Sequence, residues 1–363
     1  MEKFLPQVEP YIPQDAGEKI SSYLQSGGWI TEFQKTREFE EQIASYVGAS
    51  HAVAVTSGTA ALYLALKSLD IGPGDKVVVP NYTMIATINA VVWTGAEPVI
   101  ADIDPQTFCL DESRLEIDTS CRALIYVSIN GRPGLISKVK RFCDRKNIFL
   151  VEDAAQSLGA KHGEQYLGTI GKVGIYSFSP HKIITTGQGG MVVTNDRDIA
   201  ESVRKLKDFC RVGSAQDWHE KLGYNFKFTD LQAVLGSSQA IELDWRIEKK
   251  KSIYLQYRNN LHHTNGIEFV ETDLGETPPW FVDALLPSMK ARDRLVSDLR
   301  DNNIGARPFY PPISQQPIYS EISGSFPVSE KLAPRGIWLP SSLTLSSAQI
   351  DGICDIVKSI VKS

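Results

Sequence analysis

The chain has 363 residues, of which 42% are hydrophobic, 9% aromatic and 22% charged, a balance that excludes collagenous, disordered and coiled-coil classes. At about 100–200 residues per domain, this length accommodates one large domain and a smaller second one. Thirty-eight Lys+Arg against 43 Asp+Glu give a formal net charge of −5; with no basic cluster and no long apolar run, neither nucleic acid nor a membrane is expected as a partner.

The N-terminus, MEKFLPQVEPYIPQDAGEK, lacks the basic, apolar, small-residue order of a signal peptide. Cys109, Cys121, Cys143, Cys210 and Cys354 are odd in number, widely spaced and mostly set in apolar or amphipathic runs. The expectation is a cytoplasmic protein with buried free thiols and neither a disulfide nor a metal site. From about residue 50 to 195, short β-branched runs alternate with helical patterns, the mark of crossover units and a mostly parallel sheet. Strands are expected at 52–55, 76–79, 97–102, 123–127, 149–152, 173–178 and 191–195. Helices are expected at 58–69, at about 83–94, and at 137–146 with Ser137 as the N-cap. Beyond 195 come long helices at 198–208 and 230–261, then extended runs at 267–271, 280–286 and 336–339, a helix at 290–302 and a last amphipathic helix from 346. This predicts an α/β large domain over 1–245, built on a seven-stranded mostly parallel sheet, and a smaller C-terminal α+β domain over 246–363.

Ligands of such sheets sit beyond the C-terminal strand ends, and three segments there carry chemistry. In VTSGTAA (55–61) a strand runs through small residues into a helix, whose free N–H groups, with Ser57 and Thr59, can cradle a phosphate; a plain capped helix reads equally well. FLVEDAAQ (149–156) ends an apolar strand in adjacent carboxylates, and Asp153 can hold a cation such as a protonated pyridine nitrogen, or cap the next helix. SFSPHKIITTGQGG (177–190) sets Lys182 among small and hydroxylated residues, where a desolvated amine has the lowered pKa of a Schiff-base lysine; a surface lysine whose stem covers apolar area is the alternative. Together the three match one cofactor, pyridoxal 5'-phosphate, which needs a lysine, a carboxylate for its ring nitrogen and a helix start for its phosphate.

The segments SGTAAL (57–62), VEDAAQS (151–157), SFSPHKIITTGQGGMVVTND (177–196) and LGYNFKFTDLQA (222–233) resemble the DegT-type sugar aminotransferases, which are fold type I pyridoxal-phosphate enzymes. The likeness runs from GGWIT (27–31) to RPFYPP (307–312) and PIYS (317–320), and is strongest to the perosamine-forming branch. It implies that Lys182 bonds the cofactor and shuttles the proton, that Asp153 pairs with the ring nitrogen, and that Gln156 bonds the ring's 3′ oxygen. Gly58, Thr59 and Ser177 would hold the phosphate, reached also by Asn225 of a second subunit, which implies a homodimer with shared sites. Related sugar 3-dehydratases carry histidine at the lysine position; counting from Ser177 to the glycine pair puts Lys182 there, with His181 as its neighbour.

Three departures concern the acceptor. Met84 stands where many members stack an aromatic residue on the cofactor, Gln188 replaces the glutamate of Gly-Glu-Gly-Gly, and Ser314 replaces a histidine. His219, Lys227, Arg307 and Tyr310 fall in segments that line the family's sugar site. The implied reaction moves an amino group from L-glutamate to a keto sugar: a nucleotide-linked 4-keto-6-deoxyhexose, or alternatively a free oxidised 3-deoxy-octulosonic acid. A sugar dehydratase and a non-catalytic regulator are the rivals, and Lys182 opposes the first.

Overall fold

Seven short apolar runs form the main sheet of the computed structural model, which describes residues 4–361 apart from 116 and 214–216. They are β1 (His51–Val55), β2 (Lys76–Pro80), β3 (Glu97–Ala101), β4 (Cys121–Val127), β5 (Phe149–Asp153), β6 (Val173–Ser177) and β7 (Gly190–Thr194). Their spatial order is β1-β7-β6-β5-β4-β2-β3. Strands β2 to β6 pair in parallel, and β7 runs antiparallel to both of its neighbours. Every residue of β6 and β7 is buried, because helices cover both faces of the sheet, as continuous apolar strands require.

Helix α1 (Ala16–Gln25) and helix α2 (Gln34–Val47) precede the sheet, and neither had been anticipated. The signal for α2 lies in Phe39, Ile43 and Val47, which recur every four residues and are all buried. Helix α3 (Gly58–Ser68) packs on β6 and β7 and is buried nearly all round, capped by Ser57, whose hydroxyl accepts from the Ala60 N–H at 3.1 Å. Helix α4 (Ala86–Thr94) starts three residues later than the pattern suggests, because 81–83 is a bend fixed at Asn81 by contacts to Ser314 and Ser329. Helix α5 (Ile136–Lys146) begins after Leu135 without a side-chain cap. The expected cap Ser137 lies inside the helix, and its hydroxyl pairs with His162 Nε2 at 2.7 Å.

After α6 (Arg197–Lys207), the single helix expected over 230–261 is two, α7 (Asp230–Ala240) and α8 (Leu243–Leu261). At the break Gln239 exchanges hydrogen bonds with the backbone of Thr185, and buried Arg246 donates to the carbonyls of Tyr11 and Ile183. These contacts tie the break to the loop that carries Lys182. A second sheet, fully antiparallel, contains β8 (Glu268–Phe269), β9 (Val282–Leu285), β10 (Arg307–Pro308) and β11 (Gly336–Leu339) in the order β8-β9-β11-β10. It is covered by α8, α9 (Met289–Asp301) and the last long helix, Ser347–Val361. The N-terminal segment joins this unit: Leu5 bridges Ile304, and Gln7 exchanges bonds with Leu339 and Ser341. All five cysteines are buried and free, and no helix is long and apolar enough to cross a membrane among the described residues.

The two sheets meet along a buried seam. Arg132, after β4, pairs with Asp283 on β9 at 2.7 Å, with side chains 3% and 1% exposed. Beside it Asn130, at φ +54°, grips Phe281 at both backbone groups, 2.9 Å to the carbonyl and 2.7 Å from the N–H. Breaking a buried pair strands a charge in a dry interior, so Arg132→Ala is expected to lower unfolding free energy by about 3–5 kcal/mol, read as a fall in the urea midpoint. Replacing exposed Glu201, paired with Arg197, should leave that midpoint nearly unchanged.

Candidate active site

The strand ends converge on a cavity of about 470 Å³, within the usual range for small-molecule sites. Its floor is the end of β5, where Asp153 is buried and accepts from the Thr87 hydroxyl at 2.8 Å and the Ala155 N–H at 3.2 Å. Burial pushes the Asp153 carboxyl up, while Thr87, Ala155 and Lys182 pull the other way. No salt bridge reaches it among the described residues, so the floor is a carboxylate seat without a cation.

Lys182 follows β6 on a tight loop closed by its N–H to the Ser179 carbonyl at 3.0 Å. Its Nζ lies 3.6 Å from the centre of the Trp280 ring. Burial lowers the amine to about 7, against the opposing pull of Asp153, so the free base predominates above that pH and the ammonium below it. The neighbouring His181 imidazole is also pushed down, by burial and then by Arg307 and Lys182.

One wall is the start of α3. An added Cβ on Gly58 would come within 2.9 Å of Ser177 Cβ, and one on Gly190 within 2.3 Å of the Ser57 carbonyl oxygen. Glycine at both positions therefore lets β6, β7 and the helix start close together, with Ser57, Gly58 and Thr59 on the cavity wall, where a helix start offers an anion seat. Gln156 offers only its amide nitrogen, since its Oε1 accepts from the Asn130 N–H at 2.7 Å. Towards the mouth stand Met84, 44% exposed, and exposed Gln188 and Arg307, with Tyr310 half-buried in the lining. Burial raises the Tyr310 hydroxyl to about 12.

Of the residues singled out from sequence, Gly58, Thr59, Met84, Asp153, Gln156, Ser177, Lys182, Arg307 and Tyr310 line this one cavity, with His181 and Gln188. Asn225, Lys227 and His219 do not line it. Asn225 bridges Asp208, Lys227 pairs with Asp208 at 2.5 Å, and His219 faces the Phe209 carbonyl. Ser314 is also outside it, engaged by Asn81 and Glu330. Sequence reasoning missed Trp280, Thr83, Thr87 and Ser179 as site residues. A hydroxyl one helical turn apart from another, Thr83 and Thr87 at 2.8 Å, was the only trace of that pair, and nothing near Trp280 marked it.

The family model of the DegT/DnrJ/EryC1/StrS aminotransferases matches residues 10–358. The chain belongs to this family. It is 33% identical to a GDP-perosamine synthase of Escherichia coli O157:H7 over 98% of each chain. It is likewise 33% identical to a UDP-N-acetyl-3-dehydro-alpha-D-glucosamine 3-aminotransferase of Acidithiobacillus ferrooxidans, over 89% of this chain and 87% of that one. The crystal structure of DesV from S. venezuelae superposes with a TM-score of 0.89 at 31% identity, covering 98% of this chain and 99% of the other.

The chain is accordingly a pyridoxal-phosphate-dependent aminotransferase with the fold of that class. The donor set of the cavity fits the cofactor: a desolvated amine, a buried carboxylate lacking a cation, and a glycine-closed helix start. Thr87→Val removes the hydroxyl that favours the ionised carboxyl of Asp153. A hydrogen bond to a charged group contributes about 1.5–3 kcal/mol, so the variant should bind cofactor at least about tenfold more weakly in a fluorescence titration of the apoenzyme.

Proposed function

We propose that this aminotransferase transfers the amino group of L-glutamate to the keto carbon of a nucleotide-linked 4-keto-6-deoxyhexose, in the supply of amino sugars for lipopolysaccharide O-antigen or another glycan. The observation that carries the reading is that half-buried Lys182 and buried Asp153 line one cavity walled by the α3 start. The names of the relatives support a sugar joined to a nucleoside diphosphate as acceptor. Their different nucleotides and different products leave the favoured hexose resting on the sequence likeness to the perosamine-forming branch.

When bound, pyridoxal phosphate supplies an electrophilic carbon and an electron sink for the carbon that carries the amino group. Lys182 would hold it covalently at rest. As a free amine, Lys182 Nζ would take the proton from the donor's α-carbon in one half-reaction and return a proton to the sugar carbon in the other. Asp153 would face the ring nitrogen, whose positive charge offsets the cost of burying this carboxylate. Gly58, Thr59 and Ser177 would bind the phosphate, the Gln156 amide nitrogen the 3′ oxygen, and Met84 would pack its thioether on the ring. Arg307 brings positive charge to the mouth, suited to the carboxylates of glutamate or to the diphosphate of the acceptor, with the imidazole of His181, pushed towards its neutral form, and the Tyr310 hydroxyl beside it as hydrogen-bonding groups. Met84 and Gln188 at the mouth are the departures that favour the alternative acceptor, a free oxidised octulosonic acid; Ser314, engaged elsewhere, adds nothing to it.

A homodimer completes the proposal. Trp93 is 56% exposed and edges on Tyr63, which contacts Tyr224 beside Asn225. Such an exposed aromatic group beside a candidate ligand suits a second copy of the chain, whose Asn225 would reach the phosphate; His219 and Lys227 would approach the substrate from the same loop. The division at 245/246, close to the start of α8, and a cytoplasmic location in keeping with five reduced thiols, belong to the same reading.

The test is spectroscopic. Purified protein should carry a yellow absorbance band that bleaches on L-glutamate and returns with the right acceptor. GDP-, dTDP- and UDP-linked keto sugars and the free keto acid are offered in turn. Lys182→Ala should lower turnover by about 10²–10⁴-fold. A band that ignores glutamate, or an unaffected Lys182→Ala, contradicts the reading, and a monomer in light scattering contradicts the dimer.

A further inference from the structure

A buried lysine lies behind Lys182. Lys250, on α8, is 5% exposed and donates to the Trp280 carbonyl at 2.9 Å and the Ser341 carbonyl at 2.7 Å. No carboxylate pairs with it among the described residues. The Trp280 it holds is itself 8% exposed and stacks on Phe281 at 3.9 Å between centroids, the residue that Asn130 grips across the seam. On its other side the indole N–H donates to the His181 carbonyl at 2.7 Å, and the ring face meets Lys182 Nζ.

We propose that Trp280, fixed by Lys250 and Phe281, is the positioning residue for Lys182: its ring covers the amine, and its N–H anchors the backbone one residue before it. The inference rests on the reading of Lys182 as the reactive amine. Two opposed effects meet at this contact. The π face of the ring attracts an ammonium, whereas excluding water from Nζ disfavours one. The charged and titratable groups around the amine are Asp153 on β5, His181 on the same loop, Arg307 and Tyr310 at the mouth, and Lys250 behind the indole. Of these, Asp153 acts to raise the amine, yet it is lowered to about 7. Desolvation therefore dominates, and the indole is the surface in direct contact with Nζ. The hydrogen bond to His181 makes the cover specific, since any rotation of the indole would break it and tilt the loop.

The apoenzyme tests this without turnover. Trace acetylation with acetic anhydride over a range of pH, read at Lys182 by mass spectrometry of the digest, reports the protonation midpoint of this amine. Wild type should show a midpoint near about 7. Trp280→Ala, with size and circular dichroism unchanged, should move it up by about one unit or more, as water reaches Nζ. Trp280→Phe keeps a ring but loses the donor; it should leave the midpoint within about half a unit and lower kcat about tenfold at unchanged KM for glutamate. An unmoved midpoint in folded Trp280→Ala overturns the proposal; should that variant fail to fold, wild-type kcat in Trp280→Phe overturns it. A wild-type midpoint near the ordinary lysine value of 10.5 would instead contradict the reading of Lys182 itself.

Discussion

The site depends on one constraint: a half-buried amine held against a ring face, with no salt-bridge partner among the described residues. An ammonium in a dry interior costs several kcal/mol even after relaxation, and Lys182 avoids that cost by releasing its proton near neutrality. Lys250 shows that burial alone is not chemistry. It too is lowered to about 7 by burial, but two carbonyls accept from its amine, which commits it to holding chain. Lys182 meets a ring face and open cavity instead, so its nitrogen stays available.

Keeping such an amine in place requires walls that do not yield, and the seam between the sheets supplies one. Three residues at the entry of β9 are pinned in turn: Trp280 to His181, Phe281 to Asn130, and Asp283 to Arg132. Asn130 also holds the oxygen of Gln156, so the same residue that joins the sheets orients a cavity side chain. Stability and site geometry share these contacts. The left-handed backbone of Asn130 is thereby accounted for, since asparagine is among the few residues other than glycine that adopt it readily.

How far the sequence revealed this follows from where each signal lies. The seven strands were legible because β-branched runs recur between helices, and the α3 start, Asp153 and Lys182 because each stands just past a strand end within a short motif. Helix starts were less so: a serine at 137 reads as a cap, yet its hydroxyl is taken by His162, a partner 25 residues away. The break at 241–242 was hidden because its cause is the long-range hold of Gln239 on Thr185. Trp280 was invisible for the same reason, lying 98 residues beyond the lysine it covers, in a segment with no motif of its own. Ser314, counted among the departures that concern the acceptor, hydrogen-bonds Asn81 and Glu330 outside the cavity lining.

Floor and mouth of the cavity answer to different physics, and two relatives each 33% identical to this chain carry names of different sugar products. On the floor, Asp153 and Thr87 are buried and joined by a 2.8 Å hydrogen bond, and a change there unbalances charge that water screens little. At the mouth, Met84 is 44% exposed and Arg307 is exposed as well; substitutions there alter shape and charge without disturbing the amine. Under the proposed reaction, selection among acceptors would proceed by exchanging the outer side chains while Lys182, Asp153 and the indole over the amine stay fixed. Met84 and Gln188 lie in this outer ring and Ser314 outside the cavity lining, so under the proposed reaction the first two are the departures placed to meet the acceptor.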